Sequence, residues 1–265
     1  MTQMSPTSPQ AAVPDFVSSV PLQLEPIVRP TPGGLRLVAV EIMAGGAIAS
    51  GYAARGALLE LDILVAESVQ NLSLREGVAV HLNLPKLDGH VVHHARYLRS
   101  LQSIARHRRL VLEIHETTYE AGFREAQAIA RRTGAELAVD DLAPGNLGWK
   151  WAMEAVEDAM ASPHETGSFR AASSMVGKVD VAWFHHAMAD PTRWELFCRS
   201  LRRFATALDV IIVEGVETLR HLDVLRGLVR AGLPLGLQGY LINALYRPSL
   251  GAELPTITCR QMARG

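Results

Sequence analysis

The chain has almost no cysteine: Cys198 and Cys259 are the only two among 265 residues. Two thiols without metal-ligand spacing exclude a disulfide framework and a zinc ribbon, and they point to a reducing compartment. Net charge is nearly absent as well, since 26 Lys and Arg oppose 27 Asp and Glu for a formal charge of -1. A near-neutral chain carries no electrostatic footprint for a nucleic-acid polymer. The one dense basic run, Arg106-His-Arg-Arg109, reads as a solvated turn before a strand. No apolar run approaches the roughly 18 residues of a spanning helix, so no membrane partner is expected. Met1 to about Val20 is rich in Pro, Ser and Thr and has no basic region ahead of an apolar core. It reads as a disordered leader rather than a signal peptide, and the protein is expected to be cytoplasmic.

What the chain does contain is a regular alternation of short apolar runs and helical periodicity. Leu22-Gln-Leu-Glu25-Pro26-Ile-Val28 and Leu35-Arg-Leu-Val-Ala-Val-Glu41-Ile42 read as strands around a Pro32-Gly33-Gly34 turn, forming a hairpin rather than a crossover. Gly45 to Gly51 reads as a loose small-residue loop. A helix from Ala57 to about Gln70 then leads to a strand at Val78 to Asn83. A helix from Leu98 to Arg106 leads to one at Leu110 to Glu113. The next helix, Phe123 to Arg132, precedes the strand from Glu136 to Asp141, and Leu147 to Met160 precedes Val176 to Asp180. Arg193 to Leu208 precedes Val210 to Glu214, and Leu219 to Ala231 precedes Leu235-Gly-Leu-Gln238-Gly-Tyr240. Ser162 to Ser174, polar with Pro163 and Gly167, reads as a surface insertion. Strands alternating with helices of this length give parallel βα units. Eight such strands in a chain of 265 residues with 48% hydrophobic content predict a single α/β barrel rather than an open sheet.

The chemistry gathers where these strands stop. The sharpest case is Glu136-Leu-Ala-Val-Asp140-Asp141, an apolar strand that runs into two adjacent carboxylates. Two neighbouring Asp side chains repel and are costly near a buried strand end unless a cation lies between them, and hard carboxylate oxygens suit Mg²⁺ or Mn²⁺. For an isolated Asp-Asp the plain alternative is a loop or an N-cap pair. Here, however, Glu41, Asn83, Glu113, Lys178, Glu214 and Gln238 also end strands, and in a βα barrel those ends converge on one face. Five carboxylates at one mouth require cations. Two divalent ions would offset most of that charge, as in two-metal sites for displacement at phosphorus.

In order along the chain, Val40-Glu41-Ile-Met, Leu82-Asn83-Leu, Leu112-Glu113-Ile-His-Glu116, Val139-Asp140-Asp141-Leu, Lys178-Val-Asp180, Glu214-Gly-Val-Glu217-Thr and Gln238-Gly-Tyr240 resemble the EAL-domain family. These are bacterial phosphodiesterases that open cyclic-di-GMP to its linear dinucleotide. The resemblance runs from about Pro21 to Leu250. It implies a modified (βα)8 TIM-like barrel with an early antiparallel strand, consistent with the hairpin. It implies two divalent cations (Mg²⁺ or Mn²⁺), one held by Glu41, Asn83, Glu113 and Asp140 and the other by Asp140, Asp141 and Glu214, with Asp140 bridging. Lys178 would orient the attacking water or steady phosphate charge. Glu116 would brace the loop after the Asp pair. Glu217 would serve behind the ligands or at a helix start. Glu25, Gln238 and Asp180 fall among the substrate-binding positions.

The departures bear on substrate rather than metal. The family Arg four residues after Glu41 is Gly45 here, and loss of such a charge-assisted contact would cost about 1.5–3 kcal/mol. The early Tyr-Gln-Pro is Leu24-Glu25-Pro26, which sets a carboxylate near a dianionic ligand. The loop after the Asp pair is Leu142-Ala-Pro-Gly145, stiffer than the family's Phe-Gly-Thr-Gly. Two functions follow: a metal-dependent cyclic-di-GMP phosphodiesterase with weakened substrate contacts, or a degenerate, non-catalytic EAL domain acting as a cyclic-di-GMP receptor or protein-interaction module. The expected organisation is a leader over residues 1–20, a barrel over 21–252 and a tail over 253–265, and a homodimer is compatible with it.

Overall fold

The computed structural model describes residues 20, 22–87, 89–115, 120–161 and 175–246. Eight strands close into a barrel in chain order: β1 (Leu22–Thr31), β2 (Gly34–Ala44), β3 (Ala79–Asn83), β4 (Leu110–Ile114), β5 (Glu136–Leu142), β6 (Met175–Val179), β7 (Val210–Val213) and β8 (Leu235–Leu237). β1 runs antiparallel to both its neighbours, β2 and β8, while every other pair is parallel. The expected hairpin and early antiparallel strand are therefore present. The helices are α1 (Gly46–Ala53), α2 (Leu58–Val69), α3 (Ala95–His107), α4 (Glu120–Thr133), α5 (Leu147–Ala161), α6 (Val181–Met188), α7 (Pro191–Phe204), α8 (Leu219–Arg230) and α9 (Tyr240–Tyr246), with one 3-10 turn at Val91–His93.

Two apolar layers follow from the two periodicities. Alternate residues of each strand face the lumen, where Ile27, Ala39, Ala79, Val111, Ala138, Val176 and Ile212 form one packed layer, one residue from each of β1 to β7. β8 adds Gly236, because a Cβ there would lie 3.2 Å from both Ile212 Cγ1 and Ile27 Cγ2. The other strand face packs against the helices. In α3, Tyr97, Leu98, Leu101 and Ile104 are buried at helical spacing while Arg99 and Arg106 stay outward. In α7, Asp190 caps the N-terminus by accepting from Arg193 N at 2.9 Å and Pro191 occupies the first turn. Phe197, Leu201 and Phe204 follow on its inner face. Each such fully buried side chain contributes about 1.5–3 kcal/mol of transfer free energy.

The segment read as a loop after Met43 is instead the helix α1. Ala47, Ala49 and Ala53 favour helix, Tyr52 is buried on its inner side, and together they outweigh Gly46 and Gly51. α6 and α9 also lie outside the sequence expectation. α6 begins where Asp180 Oδ1 accepts from Trp183 N at 2.7 Å, and it buries Phe184 and Ala187. Cys198 is a buried free thiol. Among the described residues no helix is long and apolar enough to cross a membrane. The expected leader (apart from Val20), the insertion 162–174, the tail 253–265, Glu116 and Cys259 lie outside the described residues.

Candidate active site at the barrel mouth

Two residues beyond the apolar lumen layer, every strand changes chemistry. Ala39 is followed at that spacing by Glu41, Ala79 by His81, Val111 by Glu113, Ala138 by Asp140, Val176 by Lys178, Ile212 by Glu214 and Gly236 by Gln238. On the reversed strand β1, Ile27 is preceded at the same spacing by Glu25, which stands directly opposite Glu41. A period of two keeps all of these on the lumen side, so the β-alternation that fills the barrel also stacks a polar layer on top of the filling.

Lys178 is the hub. It is 1% exposed, and its Nζ lies 2.8 Å from Glu113 Oε2 and 3.0 Å from Glu41 Oε2, Asp140 Oδ1 and Glu214 Oε1. Burial alone would lower the pKa of the ammonium, but Glu113, Asp140, Glu41 and Glu214 together hold it well above its usual value, so Lys178 is charged. Burial pushes Glu113 well above the usual carboxylate range, with Lys178 opposing and Glu41 and Asp140 adding to the rise. Glu214 is pushed up to about 8, first by burial and then by Asp140 and Glu41 against the pull of Lys178. Burial works against Glu41 too, yet Lys178 with the amides of Gln238 and Asn83 brings it below its ordinary value. Four carboxylates thus share one ammonium, and burial disfavours the ionised form of two of them unless a further cation is bound.

The end of β5 shows how both Asp side chains reach the same cluster. Successive strand residues point to opposite faces, so Asp140 and Asp141 should diverge. Instead the β5–β6 register shifts between Val139 and Leu142, and Asp141 takes a left-handed backbone (φ 51°). Asp tolerates that conformation better than most side chains, and local strain of this sort collects at functional sites. Asn146 then fixes the turn, its amide donating to Asp141 O and its Oδ1 accepting from Trp149 N at 2.8 Å. As a result Asp140, Asp141 and Glu214 each offer an oxygen within 4.8 Å of the others. Asp140 Oδ1 is buried and ion-paired to Lys178 without an aligned hydrogen bond among the described residues, leaving acceptor capacity unused. A buried oxygen held by one ion pair alone, among hard carboxylate donors, fits a divalent cation. The other expected ligands are arranged differently. Glu41 and Glu113 face the ammonium of Lys178, and Asn83 Nδ2 donates to Glu41 Oε1 at 3.1 Å.

Around this centre, Gln238 Nε2 donates to Glu41 Oε2 at 2.7 Å and to Glu25 Oε2 at 3.1 Å. With the amide nitrogen so engaged, its buried Oε1 has no hydrogen-bond partner among the described residues. Glu25 is thus brought to the edge of the cluster. Asp180 caps α6, and Glu217 sits half-exposed at the start of α8 with its carboxylate 4.0 Å from His185 Nε2. Gly239 follows Gln238 at φ +142°, where a Cβ would meet the backbone nitrogen of Val216 at 2.4 Å. Gly215 follows Glu214 at φ +71°, where a Cβ would meet Val181 Cγ2 at 2.3 Å. Both glycines are required for the approach of these strand ends. One residue of the polar layer was not among the expected site residues: His81, whose Nδ1 lies 2.7 Å from Glu113 Oε1. Burial lowers its pKa to about 3, so the ring is neutral. Its signal was the Ala79–His81–Asn83 alternation, which places an imidazole on the lumen face.

No family model and no curated protein matches the sequence. Solved structures do match. The PaMucR phosphodiesterase in a c-di-GMP complex is 20% identical, at a TM-score of 0.55, over 83% of this chain and 90% of that one. The FimX EAL domain from Pseudomonas aeruginosa bound to c-di-GMP is 15% identical, at 0.58, over 84% and 88%. Klebsiella pneumoniae BlrP1 in a manganese and c-di-GMP complex is 21% identical, at 0.58, over 88% of this chain and 57% of that one. The barrel with one reversed strand is the fold these domains share with this chain.

Proposed function

We propose that this chain is a divergent EAL-domain protein that binds two divalent cations (Mg²⁺ or Mn²⁺) at the barrel mouth and hydrolyses cyclic-di-GMP to the linear dinucleotide. The observation that carries this reading is the cluster of Glu41, Glu113, Asp140 and Glu214 around Lys178, with Asp141 turned toward Asp140 and Glu214 by an irregular backbone. A carboxylate set in excess of its cation has no packing value in a barrel, where apolar side chains would fill the same space at less cost. Asp140, Asp141 and Glu214 would hold one ion, and Glu41, Asn83, Glu113 and Asp140 the other. When bound, such ions supply Lewis acidity at a phosphodiester and offset charge as it develops there. The chain's own groups do the rest. Lys178 keeps four carboxylates gathered at one point and adds a fixed positive charge to the site. Asn83 and Gln238 fix Glu41 from two sides.

A second reading, a receptor that binds the nucleotide without hydrolysis, is favoured by Glu25. Its carboxylate reaches the mouth through Gln238, where it opposes a dianionic ligand. The test is to incubate the protein with cyclic-di-GMP and Mn²⁺ and to separate the products by chromatography. Linear dinucleotide is expected, and EDTA or Asp140→Asn should abolish it. Unchanged cyclic nucleotide with the wild-type protein overturns the phosphodiesterase, and nucleotide binding in Ca²⁺ under those conditions identifies the receptor.

A further inference from the structure

β3 is an apolar strand with one imidazole in it. His81 lies between Val80 and Leu82, and it shares the lumen face with Ala79 below and Asn83 above. The side chain is 3% exposed, and it also lines a cavity of about 160 Å³ at the end of the barrel opposite the mouth. An apolar residue there would extend the lumen filling at no polar cost, whereas an unsatisfied buried ring nitrogen costs about 1–3 kcal/mol. The ring is not unsatisfied. Its Nδ1 meets Glu113 Oε1 at 2.7 Å, and Glu113 is itself 1% exposed. The second oxygen of Glu113 receives Lys178 Nζ at 2.8 Å. Glu113 is therefore held at both oxygens, by the Lys178 ammonium on one side and the His81 ring nitrogen on the other.

We propose that His81 is a positioning residue for the metal centre, which holds the Glu113 carboxylate in the one orientation that serves a divalent cation. The inference rests on the phosphodiesterase reading above, since it concerns the ligand that Glu113 would provide there. With a cation bound and Glu113 ionised, the ring would donate from Nδ1 and the carboxylate would accept. Carboxylates that ligate metals need such outer partners. Without one, Glu113 would be free to rotate about its terminal bonds or to turn wholly to Lys178, and the ion it would help to hold would bind a less organised site. The hydrogen bond crosses from β3 to β4, so it also ties Glu113 to the strand that carries Asn83.

The test is Mn²⁺ binding to the full chain by titration calorimetry, a readout independent of turnover. His81→Phe keeps the ring volume and removes the donor, and it should weaken Mn²⁺ about 10–100-fold. His81→Asn keeps a nitrogen donor at the same branch position and should recover most of the affinity. A residue that only fills the lumen would lower the melting temperature on substitution and leave the Mn²⁺ affinity of the folded protein unchanged. If His81→Phe does not fold, His81→Ala, which removes the donor without inserting bulk, carries the same comparison. Donor-less variants that bind Mn²⁺ as tightly as the wild type overturn the positioning role and leave the proposed activity standing. A wild-type protein that binds no Mn²⁺ overturns both the positioning role and the metal-dependent phosphodiesterase.

Discussion

Replacing Lys178 with Met removes the one cation from the centre of the mouth while keeping a long apolar stem. The ammonium stands 2.8–3.0 Å from four carboxylates on four different strands, and the side chain is almost fully buried. Removing one partner of a single buried ion pair costs about 3–5 kcal/mol, because the other charge is left uncompensated. Here four carboxylates lose the same partner, so the upper part of that range is expected. For a domain of this size, each kcal/mol moves the melting temperature by about 2–4 °C, so about 4–5 kcal/mol gives a drop of roughly 8–20 °C in EDTA at pH 7. The deficit should shrink on acidification. Without Lys178 the folded-state pKa values of Glu113 and Glu214, already raised by burial, rise further. A carboxylate raised above its unfolded value contributes stability that is present below that value and lost as pH climbs through the folded one. The variant should thus lie closer to wild type at pH 5 than at pH 8. Mn²⁺ should stabilise the variant more than the wild type, because it supplies the missing positive charge. Thermal denaturation across pH, with and without Mn²⁺, reads all of this. A Lys178→Met protein that melts with the wild type in EDTA would refute the view that the ammonium holds the carboxylates together.

Asp62, in α2 and lining a cavity with Tyr97, has its pKa raised by burial from 3.8 to about 7. Its share of stability is therefore present near pH 4 and lost as pH rises through 7, and Asp62→Asn should flatten the denaturation midpoint over that window. An unchanged slope would show that the carboxylate is solvated. Glu25→Gln removes a negative charge at the mouth and should tighten cyclic-di-GMP binding in Ca²⁺ about tenfold, a change of about 1.4 kcal/mol. Gly45→Arg should act in the same direction, since Gly45 at φ -57° and ψ 138° has a backbone open to any residue. Equal affinity in both variants would place the ligand away from β1 and β2. Gly239→Ala drives a Cβ to within 2.4 Å of the Val216 nitrogen from a left-handed backbone, and should cost about 2 kcal/mol or more in chemical denaturation.

Most of the polar layer was legible because a strand has a period of two. Once Ala39, Val111, Val176 and Ile212 face the lumen, Glu41, Glu113, Lys178 and Glu214 must stand above them. The same rule reaches His81, although one imidazole in an apolar run carries no signal until its partner, 32 residues away on the next strand, is known. Asp140 and Asp141 show where the rule breaks. Their joint approach to Glu214 depends on a register shift and a left-handed φ, which follow from packing around β5 and β6 rather than from residue type. α1 was misread because Gly46 and Gly51 signal a loop locally, while the buried contact of Tyr52 is made only in the folded barrel. Asp180, expected among the substrate-binding positions, also caps α6 through Oδ1, and that helix's short apolar stretch gives no periodicity to read.

The most direct measurement is anomalous X-ray scattering from crystals soaked in Mn²⁺. The expected map has a manganese peak bonded by Asp140, Asp141 and Glu214, and a second peak on the Asp140 side shared with Glu41, Asn83 and Glu113. A map without a peak at the mouth, with the Lys178 ammonium still enclosed by its four carboxylates, would contradict a metal centre and with it the proposed chemistry.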